Sequence, residues 1–228
     1  PTVRAELAEL VAIQSVADER QFPPQECSRA AEWVRDKFAE LGFETRLEET
    51  ADGSLAVIGT RSGARADAPT VLLYAHYDVQ PPLDESAWRT PPFELTEVDG
   101  RWYGRGAADC KGNIVMHLAA LRALGDEIDI NLKLVVEGSE EQGTGGLEEL
   151  VVAQPDTFRA DAILVCDTGN AAVGKPAATV TLRGMVNVVV TMESSSTELH
   201  SGMFGGAAPD ALAALVHTLA TLRDSDGN

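Results

Sequence analysis

Apolar and polar positions recur along this chain with two different periods, and the changes between them mark its elements. From Thr2 to about Gln14, and again from Gln25 to Leu41, apolar residues return every three or four positions, as at Ala31, Val34, Phe38 and Leu41. This predicts two amphipathic helices, the second stopped by Gly42. Strands follow: "FETRL" (43–47) alternates, whereas "SLAVIG" (54–59) and "TVLLYA" (70–75) are apolar throughout. A proline-rich loop over 81–92 leads into "FELTEVDGRWYG", where Asp99-Gly100 predicts a tight hairpin. Beyond it the pattern predicts a helix over 112–124, a strand over 132–138, a short helix over 145–152 and a strand over 162–167. Helices alternating with continuously apolar strands predict an α/β fold with a mostly parallel sheet flanked by helices.

Near Thr179 the pattern changes. "ATVTLRGMVNVVVTME" (178–193) predicts a long, half-exposed antiparallel strand, followed by a Ser/Gly-rich loop and a helix over 208–223. Residues 1–178 therefore read as one domain and 179–228 as the beginning of a second. No internal repeat or low-complexity tract is present.

Composition narrows the possibilities. A chain of 228 residues can bury a sizeable core, and 44% hydrophobic with 24% charged residues is ordinary for a soluble globular protein. No apolar run approaches the roughly 18 residues of a membrane span, and "PTVRAELAEL" has no signal-peptide core, so a cytoplasmic protein away from membranes is expected. The three widely spaced cysteines indicate neither a disulfide framework nor a CxxC metal site. A net charge of −18 repels phosphate backbones and argues against nucleic acid as a partner.

Some of that acidity sits where surface charge is not expected. In an open α/β sheet, ligands bind beyond the carboxyl ends of the strands. Three predicted strands end there in potential metal ligands: His76 and Asp78, then Glu140 and Glu141, then Asp167; "GRGAADCKGN" adds Asp109 just before a helix. Singly, each has an ordinary alternative. His76 reads as a satisfied strand-end histidine, Asp78 and Asp167 as turn residues, Asp109 as a helix N-cap, and the glutamates as solvated surface. Jointly, convergence on one sheet edge points to a site.

The residue types fit one chemistry. A carboxylate two residues along a strand from a histidine faces the same side and accepts its second N–H. Gathered carboxylates repel unless cations neutralise them. Two divalent metals about 3.5–4 Å apart, bridged by one carboxylate, would do so while activating a water and polarising a carbonyl. A glutamate not bound to metal could then take the water's proton. Competing motifs are weaker: "GRGAAD" lacks the third small residue of a dinucleotide fingerprint, "GTGG" lacks the Lys-Ser/Thr of a P-loop, and Ser139 is not in a GxSxG elbow.

"YAHYDVQPP", "GRGAADCKGN", "EGSEEQGTGG" and "CDTGN", in this order, resemble the di-zinc metallopeptidase family of aminoacylases, succinyl-diaminopimelate desuccinylase and glutamate carboxypeptidase. "LRGMVNV" and "LHSGMFGG" are most similar to its carnosinase and cytosolic non-specific dipeptidase branch. The resemblance implies a dipeptidase, or failing that an N-acyl amino acid deacylase. It implies two Zn2+ ions, with Mn2+ or Co2+ as substitutes, and a homodimer formed through the second, lid domain.

By position, the resemblance implies His76 as a zinc ligand oriented by Asp78, and Asp109 as the bridging carboxylate, followed by a cis peptide bond to Cys110. It implies Glu140 as general base, Glu141 as ligand of the other zinc and Asp167 as second carboxylate on the His76 metal. His200 is implied to reach the partner subunit's site and stabilise the oxyanion. The family's last zinc ligand, a histidine after the lid, has no match: His117 and His217 lie on or beside apolar helical stripes and read as packed or boundary residues. The chain therefore reads as truncated within the lid, with weakened or single metal occupancy and little turnover expected of these residues alone. A non-catalytic binding or dimerisation module is the alternative from another class.

Overall fold

A computed structural model describes residues 2–65, 67–143 and 146–226. Helix α1, Val3–Ala12, opens on Thr2, whose hydroxyl accepts the Ala5 N–H at 3.3 Å, and buries Leu7, Leu10 and Val11. Helix α2, Pro24–Ala39, begins with proline in its first turn and turns Ala30, Ala31, Val34 and Phe38 inward, as the periodicity predicts. Gly42, at φ +83°, takes the left-handed conformation that ends the segment.

Five strands make the central sheet: β1 (Glu44–Glu49), β2 (Leu55–Arg61), β3 (Thr70–His76), then β6 (Asn131–Glu137) and β7 (Ala162–Leu164), in the order β1-β2-β6-β3-β7. Only β2 opposes the others; β3 runs parallel to both its neighbours. The mostly parallel sheet of the sequence reading is thus borne out. Between β3 and β6 lie the hairpin β4 (Thr96–Val98) and β5 (Arg101–Tyr103), turning on Asp99 (φ +51°) and Gly100 (φ +72°), and helix α3 (Lys111–Leu124). Two positive φ angles are what a two-residue hairpin twisted to match its strands requires.

Apolar continuity of the strands has its cause in the two faces. Leu73, Ala75, Leu132, Leu134 and Val136 join the core under α1, α2 and α3. Alternate positions, Ala56, Ile58, Leu72 and Val135, pack on the other face with Leu150 of α4 (Leu147–Ala153) and Phe158 of the short α5 (Pro155–Phe158). A fully buried Glu6 on α1 makes a forked ion pair with Arg122 of α3, at 2.5 and 2.7 Å, locking these helices together.

The chain separates into two compact units, Pro1–Gly169 and Asn170–Asn228. The second contains α6 (Ser201–Phe204) and α7 (Ala211–Ala220), the latter shorter than the helix expected over 208–223. Here one expectation is corrected. Residues 178–193 form no strand, and Val180, Leu182, Met185, Val186, Val188 and Val189 are between 69% and 91% exposed. Alternation marks which side chains would share a face, but a strand exists only when its N–H and C=O groups find a ladder partner, and among the described residues none pairs with this segment. The strand expected over 162–167 also ends early, at Leu164, with Cys166 bent to φ +51°. Of the helix expected over 145–152, Gly145 lies outside the described residues. Among the described residues no helix is long and apolar enough to cross a membrane.

Candidate metal centre

The parallel trio β6-β3-β7 brings three carboxyl ends to one edge, with His76 paired to Glu137 in register. His76 is the last residue of β3 and is completely buried, as is Asp78. Their spacing of two aims both side chains the same way, and His76 Nδ1 lies 3.2 Å from Asp78 Oδ1 and 3.1 Å from the Asp78 carbonyl oxygen. With Nδ1 donating, the lone pair of the neutral ring is on Nε2.

Asp78 also accepts the backbone N–H of Glu140 on Oδ1 (3.2 Å) and that of Glu141 on Oδ2 (2.9 Å). It thereby ties the 3-10 turn Glu140–Gln142 beyond β6 to the end of β3. The N-terminal segment braces the same stretch. Ser15 Oγ donates to the Tyr77 carbonyl at 2.7 Å, Val79 N–H donates to the Ser15 carbonyl at 3.0 Å, and Lys111 Nζ donates to the Ile13 carbonyl at 2.6 Å.

Around His76 Nε2 stand Asp109 Oδ1 at 3.0 Å, Asp167 Oδ2 at 3.6 Å and Glu140 Oε2 at 3.8 Å. The Asp109–Cys110 peptide bond is cis. Of the residues picked from sequence, His76, Asp78, Asp109, Glu140 and Asp167 therefore come together. Glu141 does not join them; its carboxylate and carbonyl oxygens accept from Gln80 Nε2 at 2.9 and 3.1 Å. His200 lies in the second unit, where Nδ1 accepts the Gly202 N–H at 3.0 Å and caps α6. His117 is buried with Nε2 3.2 Å from the Tyr74 carbonyl, and His217 is exposed.

Sequence reasoning missed Cys110, Gln80 and the Ser15 brace. Cys110 is buried, and its sulfur lies within 4.8 Å of donor atoms of His76 and Asp167. The only sequence signal was its place beside Asp109. Gln80 was within a quoted motif but carries no charge to mark it, and Ser15 is 62 residues from its partner.

The electrostatics ask for a cation. Among the described residues no lysine or arginine forms an ion pair with Asp78, Asp109, Glu140, Glu141 or Asp167. Burial opposes charge on His76, but the Asp78 carboxylate and the Cys110 sulfur outweigh it and push the imidazole up to about 12. The only positive charge that the cluster can make for itself is a proton on this ring. Burial raises the Glu140 carboxyl above its ordinary range; His76 opposes the rise, and Glu141, Asp167 and Asp78 add to it. Donors around a tetrahedral zinc ion lie roughly 3.4 Å apart, close to the 3.6 Å between His76 Nε2 and Asp167 Oδ2. An imidazole with a fixed tautomer and several carboxylates lacking basic partners fits a divalent cation.

Comparison with known proteins agrees. The family model described as Peptidase family M20/M25/M40 matches residues 72–225. A cysteinylglycine-S-conjugate dipeptidase of Corynebacterium striatum is 47% identical over 201 residues, covering 87% of this chain and 44% of that protein. A Beta-Ala-His dipeptidase of Rattus norvegicus is 37% identical over 239 residues, covering 97% of this chain and 48% of that protein. The crystal structure of human carnosine dipeptidase 1 aligns with a TM-score of 0.68 at 31% identity, covering 98% of this chain and 50% of that one. The chain spans about half the length of the curated relatives it matches.

Proposed function

Because this chain belongs to peptidase family M20/M25/M40, we propose that it carries the metal-holding edge of a dipeptidase that hydrolyses peptide bonds with a water molecule. The observation that carries this reading is the imidazole of His76 ringed by Asp109, Glu140 and Asp167, with no lysine or arginine among the described residues ion-paired to them. His76, Asp109 and Asp167 would hold one zinc ion, with Asp109 and Glu141 on a second. When bound, the cations supply Lewis-acid polarisation of the scissile carbonyl and acidify a water.

The protein's own residues do the rest. Asp78 keeps the proton on His76 Nδ1, and through the N–H groups of Glu140 and Glu141 it fixes both glutamates against β3. Glu140 accepts the proton of the attacking water at its carboxylate and passes it to the leaving amine nitrogen. His200, with Nδ1 occupied by the Gly202 N–H, carries its proton on Nε2 when neutral. We assign it to the oxyanion in the partner's site of a homodimer formed through the lid, residues 179–228. A cytoplasmic setting is part of the proposal, and all three cysteines are free thiols.

The relatives' names direct the assay to cysteinylglycine and β-alanyl-histidine, with an N-acetyl amino acid as the comparison substrate. Full-length protein loaded with zinc or manganese should cleave a dipeptide. Glu140→Gln should lower kcat about 10²–10⁴-fold while metal content, measured by mass spectrometry, stays unchanged. Turnover that survives both chelation and Glu140→Gln would count decisively against this chemistry.

A further inference from the structure

The end of β3 continues as His76-Tyr77-Asp78-Val79-Gln80, polar at every second position. Val79 keeps the run extended through a β-bridge to Val16. His76 and Asp78 already have roles above, and Gln80 is the third polar member of the same series. Its amide nitrogen donates to Glu141 twice, to Oε2 at 2.9 Å and to the carbonyl oxygen at 3.1 Å. Asp78 Oδ2 takes the N–H of the same residue at 2.9 Å. Among the described residues, the hydrogen bonds that hold Glu141 thus come from residues 78 and 80. Among the described residues, no other side chain donates to its carboxylate.

Gln80 is anchored on both sides. On one, Val79 N–H donates to the Ser15 carbonyl at 3.0 Å. On the other, the Pro81 carbonyl accepts from Arg105 Nη2 at 3.2 Å, and the Arg105 guanidinium lies over the Trp88 ring at 5.0 Å. Trp88 Nε1 closes the loop by donating to the Pro82 carbonyl at 2.9 Å. A glutamate side chain free to rotate loses entropy when it is captured by an ion, whereas one already fixed has little left to lose.

We infer that Gln80 is the positioning residue for Glu141: its amide occupies Oε2 and fixes the carboxylate that would serve the second divalent cation. This rests on the two-cation reading above. The amide is suited to the task because it donates without adding charge, where a lysine would compete with the cation and a glutamate would repel its neighbour. Loss of such an outer partner typically weakens metal binding 10–100-fold.

The test is a cobalt titration of the full-length protein, followed by calorimetry and by visible absorption, with Gln80→Met, Glu141→Gln and the double variant. Methionine keeps the length of the side chain and removes its donor. In Gln80→Met the first ion should bind as in the wild type and the second about 10–100-fold more weakly, with the metal-free melting temperature unchanged. The double variant should bind the second ion no more weakly than Glu141→Gln alone, because the two residues act as one unit. If Gln80→Met does not fold, Gln80→Asn, shorter by one methylene, should give the same selective loss. Equal weakening of both steps, an unchanged second step, or additive losses in the double variant would overturn the inference. A wild-type protein that takes up fewer than two ions refutes the two-cation reading itself, and the inference with it, before any variant is compared.

Discussion

Gly138 follows the last residue of β6, directly beside the strand that carries His76, and its replacement by alanine tests how tightly this sheet edge is packed. A Cβ there would lie 2.1 Å from Tyr77 Oη, 2.3 Å from Cζ and 2.7 Å from Cε2. Ordinary carbon contacts are about 3.5–4.0 Å, so the ring edge must retreat by more than about 1 Å. Tyr77 has nowhere easy to go, being completely buried, with its hydroxyl donating to the Leu55 carbonyl at 2.7 Å and its N–H to the Glu137 carbonyl at 2.9 Å. Overpacking a core costs about 1–3 kcal/mol, and leaving the Leu55 carbonyl unpaired adds about 1 kcal/mol. The expected destabilisation of Gly138→Ala is therefore about 2–4 kcal/mol. Because Tyr77 lies between His76 and Asp78 in the chain, cobalt affinity should fall as well. Urea unfolding followed by far-ultraviolet circular dichroism measures the first effect, provided the m-value is unchanged. Tyr77→Phe alone should cost about 1 kcal/mol, and in the Gly138→Ala background it should restore only part of the loss, since the ring carbons still clash. A Gly138→Ala protein within about 0.5 kcal/mol of the wild type, with unaltered cobalt binding, would refute the steric argument.

Two further outcomes follow from buried charges, one between α1 and α3 and one beneath the carboxylate cluster. Removing Glu6 leaves Arg122 without its forked partner between α1 and α3; since Arg122 is 27% exposed, Glu6→Ala should cost about 2–3 kcal/mol, at or below the low end for a broken buried pair, measured by urea unfolding. Lys111 is buried and held down to about 7 from 10.5, with burial as the leading cause and Cys27, Asp78 and Glu26 opposing it. Between those two values the unfolded chain binds more protons than the folded one, so this residue makes stability rise with pH across that window and contributes no slope below or above it. Lys111→Met should flatten that rise in unfolding curves taken at successive pH values, and an unchanged slope would show that the lysine is not held neutral.

The sequence by itself determined which segments could be helix and which could be strand, and it marked the edge where chemistry collects. Continuous apolar runs at 54–59 and 70–75 imply a sheet covered on both faces, and the structure has α1, α2 and α3 on one face and α4 with α5 on the other. His76, Asp78, Glu140 and Asp167 were legible because charge beyond an apolar strand is a local pattern and parallel strands necessarily finish at a common edge, and Asp109 because it stands in a glycine-rich stretch just before a helix. Tertiary structure decided what local pattern cannot contain. The alternation over 178–193 specifies faces but no ladder partner, and among the described residues no strand pairs with the segment. Glu140 and Glu141 are adjacent and chemically alike, yet one stands 3.8 Å from His76 Nε2 and the other is held by Gln80, because a one-turn helix fans successive side chains apart. Ser15, Cys110 and Lys111 took their places at the site through contacts with residues distant in sequence or buried beneath it. Periodicity records the environment each residue prefers, whereas the identity of its neighbour is settled only when the whole chain closes around it.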